Sequence, residues 1–208
     1  MKVLDRKVLC LAAGLVGLMI AGAGMASAQD VYKVNYFDNN GVVVSYNEVR
    51  VAAPDATVRI DNPGLTYGNL CAMIYVFAAD QQLAECCGCP ETHNGLRTLS
   101  VGRDLTSNPL TGVVPTSGVI KVVSAAVNNT PCDPTANVKP KSNLRVWASH
   151  IQNPNALGSF GGVVFSTTET ESSDSTLGAT ELANLQAQCS YINILGSGAG
   201  ICSCGTGD

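Results

Sequence analysis

Cysteine is the residue type whose number and spacing in this sequence could do the most chemistry. Nine cysteines occur, and all but Cys10 lie after residue 70. The eight later cysteines are Cys71, Cys86, Cys87, Cys89, Cys132, Cys189, Cys202 and Cys204. In an exported protein of this size an even number of cysteines predicts a framework of disulfides, here four. The spacing does not choose among the many possible pairings.

Two other kinds of site could use the same residues. Thiolates from Cys86, Cys89, Cys202 and Cys204 could bind zinc tetrahedrally, but the second pair is separated by one residue instead of the usual two. A redox-active pair at Cys86 and Cys89 would need a helix after a strand, whereas Pro90 and the Asn-Gly step that follows favour a turn. Structural disulfides are therefore our prediction, with no metal and no other cofactor.

Few residues in the sequence could act as general acids or bases. The two histidines, His93 and His150, lack a recognisable nucleophile and orienting group nearby, so we interpret each as a surface or strand-end histidine. Glu169, Glu171 and Asp174 could bind calcium or form an acid–base pair. They lie in a Ser- and Thr-rich stretch that we interpret as a solvated loop. We predict that the protein is not an enzyme.

Aromatic residues offer a binding site of a different kind. Tyr32, Tyr36 and Trp147 could form a platform on which sugar rings stack. Packing between neighbouring strands, or burial in the core, would explain the same residues equally well. A glycan is therefore an alternative partner, and cross-strand packing remains the competing interpretation.

The charge balance excludes one class of partner. The chain has 12 Lys and Arg against 16 Asp and Glu, which gives a net charge of −4. No basic stripe is left to follow a phosphate backbone, so nucleic acid is not an expected partner. Hydrophobic residues make up 46% of the chain and charged residues 13%, which excludes charge-rich disorder and favours a buried core.

The N-terminal residues have the pattern of an export signal. Lys2, Arg6 and Lys7 precede an uncharged run, and residues 26–28 read Ala-Ser-Ala, which suits a signal peptidase. We predict that residues 1–28 are cleaved, leaving residues 29–208 as one disulfide-rich domain with no membrane span. A retained membrane anchor is the alternative. The protein is expected to be secreted or displayed at the cell surface.

A set of motifs between Cys71 and Gly205 is specific in combination. It includes Cys-Cys-Gly-Cys-Pro at residues 86–90 and Cys-Ser-Cys-Gly at residues 202–205. The remaining motifs occupy residues 105–111, 118–123 and 185–189. Together they resemble a group of uncharacterised secreted bacterial proteins. This resemblance implies export and a shared cysteine framework, and it implies no activity.

The elements that would position these residues are mainly β-strands. Alternating and β-branched segments predict strands at residues 31–37, 42–46, 48–52, 56–60, 71–79, 96–101, 119–127, 144–151 and 163–168. The turn residues 38–41 predict that the first two of these strands pair as a hairpin. Residues 80–85 favour a short helical turn before the central cysteines. Strands at this spacing predict a β-sandwich or a jelly-roll-like domain.

One amphipathic helix is predicted near the C-terminus, over residues 180–195. Leu182, Leu185, Cys189 and Ile192 recur at helical spacing, so this apolar stripe should dock on a sheet and be fixed by a disulfide through Cys189. The expected fold is mainly β, a disulfide-stabilised sandwich or jelly roll with this single helix.

The first strands suggest a function in assembly. Val31, Tyr32, Val34 and Tyr36 belong to an alternating segment directly after the expected cleavage site. A free N-terminal strand can add to the sheet edge of the next subunit, and such head-to-tail contacts grow open fibres. The alternative is that this strand folds back into its own sheet.

We therefore predict an exported structural protein that polymerises with itself into an extracellular filament or surface assembly. Residues 29–60 contain the strands that would make the subunit contact. The second hypothesis is a monomeric secreted module that binds glycans or another exported partner.

Overall fold

The structure is a computed structural model that describes residues 31–39, 44–46, 49–51, 54–65, 68–127, 132–151, 156–157, 163–164, 167–195 and 199–205. The expected signal peptide and its cleavage site lie outside these residues. Within the described part of the chain, no helix is both long enough and apolar enough to cross a membrane.

The described residues form strands, one π-helical turn and one α-helix. The strands are β1 (Tyr32–Asp38), β2 (Val44–Tyr46), β3 (Val49–Val51), β4 (Thr57–Asp61), β5 (Leu70–Ala78), β6 (Leu83–Glu91), β7 (Leu96–Ser100), β8 (Ser117–Ala126), β9 (Arg145–Ile151), β10 (Ala156–Leu157), β11 (Val163–Val164), β12 (Thr167–Glu171) and β13 (Ser173–Ser175). The π-helical turn spans Val101–Leu105, and helix α1 spans Ala179–Ile194.

Two antiparallel sheets face each other, which confirms the predicted mainly β sandwich. The large sheet has five strands in the order β13-β1-β8-β5-β6, and the small sheet has four in the order β12-β9-β4-β7. Strands β12 and β13 are consecutive, and the chain passes from the small sheet to the large one at Ser172, which is buried. The sandwich is thus closed along this side by one continuous segment.

The first core fills the space between the two sheets. Ile74 and Val122 enter it from the large sheet, and Ile60 and Leu99 enter it from the small sheet. All four side chains are at most 1% exposed. Burial of such a side chain contributes about 1.5–3 kcal/mol to stability, so this core holds the sheets together.

The second core lies on the other face of the large sheet, under helix α1. Leu185 and Cys189 of the helix pack with Met73 and Tyr75 of β5. Because β5 is covered on both faces, its first seven residues are all buried, as its continuous apolar run predicts. The predicted helix and its apolar stripe are confirmed.

The predicted hairpin between residues 31–37 and 42–46 is wrong. Strand β1 lies between β8 and β13, while β2 pairs with β3. The turn residues after β1 satisfy the local signal for a hairpin, but the partner of β1 is decided by the apolar side chains that it buries in both cores.

Two further local predictions are wrong. Residues 80–85 form a turn followed by the start of β6 instead of a helical turn, and β6 continues through the central cysteines to Glu91. The loop expected over residues 169–180 contains the end of β12 and all of β13, although every residue of β12 is exposed. Ser, Thr and Glu side chains there face solvent while the backbone pairs with β9, so their polarity does not indicate a loop.

Candidate functional site

The N-terminal strand β1 occupies an interior position in the large sheet. All seven of its residues pair with β8, from Tyr32 opposite Val123 to Asp38 opposite Ser117. Its other edge pairs with the three residues of β13. Strand β1 therefore separates two strands that are not neighbours of each other, and its removal would leave a gap between them. This is the fold-back arrangement that the sequence left open.

The side chains of β1 enter both cores. Tyr32 and Val34 pack in the core under helix α1, together with Val31 just before the strand. Phe37, near the end of the strand, packs in the core between the sheets and is 3% exposed. Tyr36 is different because its ring is more than half exposed. Three of the four predicted contact residues thus fill this chain's own core.

Tyr32 also ties β1 to the helix through a charged hydrogen-bond network. Its hydroxyl donates to Oε1 of Glu181 at 2.6 Å, and Nζ of Lys121 on β8 donates to the same oxygen at 2.9 Å. Burial and the Glu181 carboxylate raise the pKa of the Tyr32 hydroxyl, which therefore stays protonated. Burial opposes ionisation of Glu181, but the hydrogen bonds from Tyr32 and Lys121 prevail and lower its pKa. This network joins β1, β8 and α1.

A salt bridge joins β1 to β13 at the other edge of the strand. The side chain of Lys33 is buried, and its ammonium pairs with the carboxylate of Asp174 on β13. The Asp174 side chain is about half exposed, so the pair lies at the boundary between protein and solvent. Because an unpaired buried ammonium is costly, this contact favours β1 in its place next to β13.

His150 contacts the exposed end of β1. The rings of His150 and Tyr36 are stacked with centroids 4.1 Å apart, and Nε2 of His150 lies 2.7 Å from the Thr170 hydroxyl. His150 lies near the end of β9, as expected, but it is buried instead of at the surface. Burial lowers its pKa, which favours the neutral ring. His93 lies in the turn between β6 and β7, far along the chain from this contact, and its side chain is exposed.

The two ends of the connection between β1 and β4 are held together by hydrogen bonds. The side chain of Asn39 donates to Oδ1 of Asp55 at 2.7 Å and accepts from the backbone N–H of Ala56 at 3.1 Å. The connection between Asn39 and Asp55 is 15 residues long. Apart from Pro54, its described residues form the small β2–β3 pair, which pairs with neither the large sheet nor the small sheet within the described residues.

The disulfides confirm the predicted framework and supply its pairing. The pairs are Cys71–Cys132, Cys86–Cys189, Cys87–Cys202 and Cys89–Cys204. The cysteines of β6 bond to different parts of the chain because successive side chains point to opposite faces of a strand. Cys86 points toward the helix, whereas Cys87 and Cys89 point into the core between the sheets and bind the C-terminal segment.

The C-terminal segment pairs with the outer edge of β6 at Cys86. The backbone N–H of Cys86 donates to the carbonyl of Gly200, and the N–H of Cys202 donates to the carbonyl of Cys86. Gly200 has φ +83° and lies against Ile192, where a Cβ would come within 2.3 Å of a side-chain carbon. The C-terminal segment therefore blocks the outer edge of β6 at Cys86 against pairing with another chain.

The cysteines that could have formed a zinc site or a redox pair are instead bonded to other partners. Cys86 is bonded to the helix, whereas Cys89, Cys202 and Cys204 are bonded in other disulfides, so neither the alternative zinc set nor a Cys86–Cys89 redox pair forms. The sulfurs of Cys87, Cys89 and Cys204 do lie within 4.8 Å of one another. In this oxidised form each of them is part of a disulfide, and a metal requires free thiolates.

The other sequence candidates are dispersed. Glu169 forms an ion pair with Arg59 in the small sheet, while Asp174 binds Lys33 in the large one. These carboxylates therefore do not share one calcium or acid–base site. Tyr32 is buried, and Trp147 projects from the small sheet between Arg59 and Glu171 of the neighbouring strands. The three aromatic residues that could have formed a platform for sugars therefore do not share one surface.

Glu85 is a buried carboxyl group that the sequence pattern does not predict. Glu85 on β6 is fully buried; its Oε1 accepts from the backbone N–H of Asn108 at 3.0 Å, and its Oε2 has no hydrogen-bond partner among the described residues. Burial raises the pKa of Glu85 to about 7. Glu85, Cys87 and Cys89 are alternate residues of β6 and share one face of the strand. A strand prediction for these residues would therefore have placed Glu85 on the face that points into the core.

Comparisons with protein-family models, with curated proteins and with solved structures find no match to this chain. The resemblance of its motifs to secreted bacterial proteins therefore stays a prediction. The four disulfides themselves are typical of an oxidising, extracytoplasmic compartment.

Proposed function

We propose that this protein is an exported structural subunit that assembles into a filament or surface layer by exchanging β1 between copies. The observation that carries the proposal is the insertion of β1 between β8 and β13, which are not paired with each other in the sheet order. A strand from a second copy has the same sequence, so it would find the same partners. Exchange of an identical element is a low-cost route to association.

The contacts of β1 suit a strand that recognises its place specifically. Backbone pairing along seven residues supplies affinity, while Tyr32, Val34 and Phe37 supply register because they fill particular positions in the two cores. A shift by one residue would turn these side chains to the wrong faces and expose the Lys33 pair. The gap would thus accept this strand in one register.

The length of the connection after β1 allows the strand to reach a neighbour. The 15 residues between Asn39 and Asp55 span up to about 50 Å when they are fully extended, which requires the β2–β3 pair to open. That reach exceeds the length of β1 itself, so the strand could enter the large sheet of an adjacent subunit while its own sandwich stays closed by disulfides. Head-to-tail repetition of this contact gives an open fibre.

Assembly by exchange competes with insertion of β1 into its own sheet. A strand tethered by a short linker has an effective concentration on the order of 1 mM, so an isolated chain in dilute solution favours its own strand. Export of many copies to a cell surface would raise the local concentration of the protein and so favour exchange. The predicted signal peptide and the four disulfides support this setting.

A covalent lock tests the proposal. Tyr36 and Val119 are directly opposite each other in the β1–β8 register, and Cα atoms at such positions are about 4.5–5.5 Å apart, which suits a disulfide. In the Tyr36→Cys/Val119→Cys variant β1 is tied to its own sheet. We expect this variant to stay monomeric in light scattering at concentrations where the unmodified protein forms polymers.

The matched control is Tyr36→Ser/Val119→Ser, which changes the same positions and forms no bond. It should polymerise like the unmodified protein, and mass spectrometry should show the added disulfide in the cysteine variant alone. Polymerisation of the locked variant to the same extent as the serine control would exclude exchange of β1.

A further inference from the structure

A second surface of the molecule lies on the outer face of the small sheet, away from β1. It is a shallow depression of about 340 Å³, which is at the lower end of the range for small-molecule sites. Its lining residues are Arg59, Asp61, Leu96, Trp147 and Glu169. They come from all four strands of the sheet, so the backbone holds them in fixed relative positions.

The sheet register places the aromatic ring among the charged groups. Trp147 on β9 lies directly opposite Arg59 on β4, and Asp61 on β4 lies opposite Leu96 on β7. Nη1 of Arg59 donates to Oε1 of Glu169 at 2.9 Å. Both side chains of this pair remain more than 40% exposed, so the guanidinium and the carboxylate keep hydrogen-bonding atoms directed to solvent.

This combination of groups is the chemistry that recognises a sugar. The indole face can stack on the C–H face of a pyranose ring, since the ring is apolar and carries an electron-rich π surface. The carboxylates of Asp61 and Glu169 can each accept from two hydroxyls, and the Arg59 guanidinium can donate to hydroxyl or ring oxygens.

We propose that this depression binds a neutral polysaccharide. Its two carboxylates and one guanidinium give no excess of positive charge for a phosphate or an acidic chain. The surrounding face carries small hydroxyl residues, among them Thr57 and Ser149, whose hydroxyls bond to each other at 3.0 Å. A protein partner would need a larger apolar centre than Trp147 and Leu96 provide.

The chain offers a direct optical test, because Trp147 is its only tryptophan. Indole emission of the non-reduced protein is recorded during titration with dextran, xylan, a soluble β-glucan and, as the acidic comparison, polygalacturonate. We expect a saturable change in emission with at least one neutral polysaccharide and retardation of the protein in a native gel that contains it. Polygalacturonate should give neither.

Two variants and one control assign the binding to the depression. Trp147→Ala should weaken gel retardation at least tenfold, and Asp61→Asn, which keeps the ring, should weaken it several-fold while leaving the emission signal readable. Tyr191→Ala removes another exposed aromatic ring, on helix α1, and should bind like the unmodified protein. Thermal unfolding confirms that each variant is folded.

Two results would overturn this proposal. One is the absence of any saturable emission change or gel retardation across the neutral panel, and the other is retention of binding by both Trp147→Ala and Asp61→Asn. Because the depression is on the opposite sheet from β1, the locked monomer should bind as well as the unmodified protein. Failure of polymerisation and failure of sugar binding are therefore separate outcomes.

Discussion

At the scale of residues, the buried carboxyl of Glu85 links three parts of the chain that are distant in sequence. Glu85 on β6 accepts from the backbone N–H of Asn108, and the carbonyl of Asn108 accepts from the N–H of Gly200 in the C-terminal segment. Any charge that develops on Glu85 is therefore introduced where β6, the segment after the π-helical turn and the C-terminal segment meet. Stability should depend on pH through this group.

The sign of that dependence follows from the raised pKa. Glu85 has a pKa of about 7 in the folded protein against an ordinary value of 4.5, so the folded state holds its proton more tightly than the unfolded state. The free energy of unfolding should therefore fall as pH rises from about 4.5 to about 7, by up to roughly 3 kcal/mol for this group. Denaturant unfolding at several pH values measures this fall.

The Glu85→Gln variant isolates the contribution of this carboxyl. It should unfold with a shallower pH dependence than the unmodified protein and be the more stable of the two above pH 7. Part of the dependence should remain, because burial also raises the pKa of Glu91 to about 7, against the opposing effect of Arg97. A variant with the full slope of the unmodified protein would show that Glu85 is already ionised in the fold.

The Tyr32 hydroxyl gives a second prediction at this scale. Tyr32→Phe removes its hydrogen bond to Glu181 while keeping the ring in the core under the helix. Hydrogen bonds to charged groups contribute about 1.5–3 kcal/mol, so the variant should lose stability of that order in denaturant unfolding. Tyr36→Phe is the matched control, and it should change stability little because the Tyr36 ring is mostly exposed. Equal losses in both would contradict the role given to Tyr32.

At the scale of elements, helix α1 depends on a single covalent tie to the sheet. Cys189 is bonded to Cys86 on β6, while the other three disulfides hold the 132–138 segment and the C-terminal segment. The Cys86→Ser/Cys189→Ser variant should lose about 2–5 kcal/mol of stability. Hydrogen exchange should then increase in α1 and along β1, because Glu181 of the helix binds Tyr32.

The matched comparison for that variant is Cys71→Ser/Cys132→Ser. It also removes one disulfide, but it leaves the helix bonded to β6, so exchange in α1 should change much less. The same pattern of increased exchange in both variants would contradict the assignment of the Cys86–Cys189 bond as the specific tie of the helix.

The elements differ in how well the sequence predicts them. Strand β5 and helix α1 are strongly patterned over their whole length, and both were predicted almost to the residue. Strand β6 was not, because Cys, Gly and Pro are local signals for a turn, and its pairing is enforced by β5 and by disulfides from residues 189–204. Long-range constraints of this kind leave no periodic signal in the sequence.

At the scale of the whole molecule, the fold class was predictable and the surfaces were not. Regular strand spacing predicts a sandwich, but the position of β1 depends on pairing with β8, whose partner residues are 79 to 91 residues away along the chain. Trp147 and Arg59 likewise meet only because β9 and β4 are neighbours in the small sheet. Both surfaces depend on sheet order, which the sequence left undetermined.

The proposed exchange of β1 between copies is a property of the whole molecule. Its most direct test is negative-stain electron microscopy of the non-reduced protein, with light scattering, over a concentration series that reaches about 1 mM, the order of the effective concentration of a tethered strand. We predict regular fibres or sheets that increase with concentration and are absent from the locked Tyr36→Cys/Val119→Cys variant. Dispersed monomer-sized particles at every concentration and salt would contradict assembly by strand exchange.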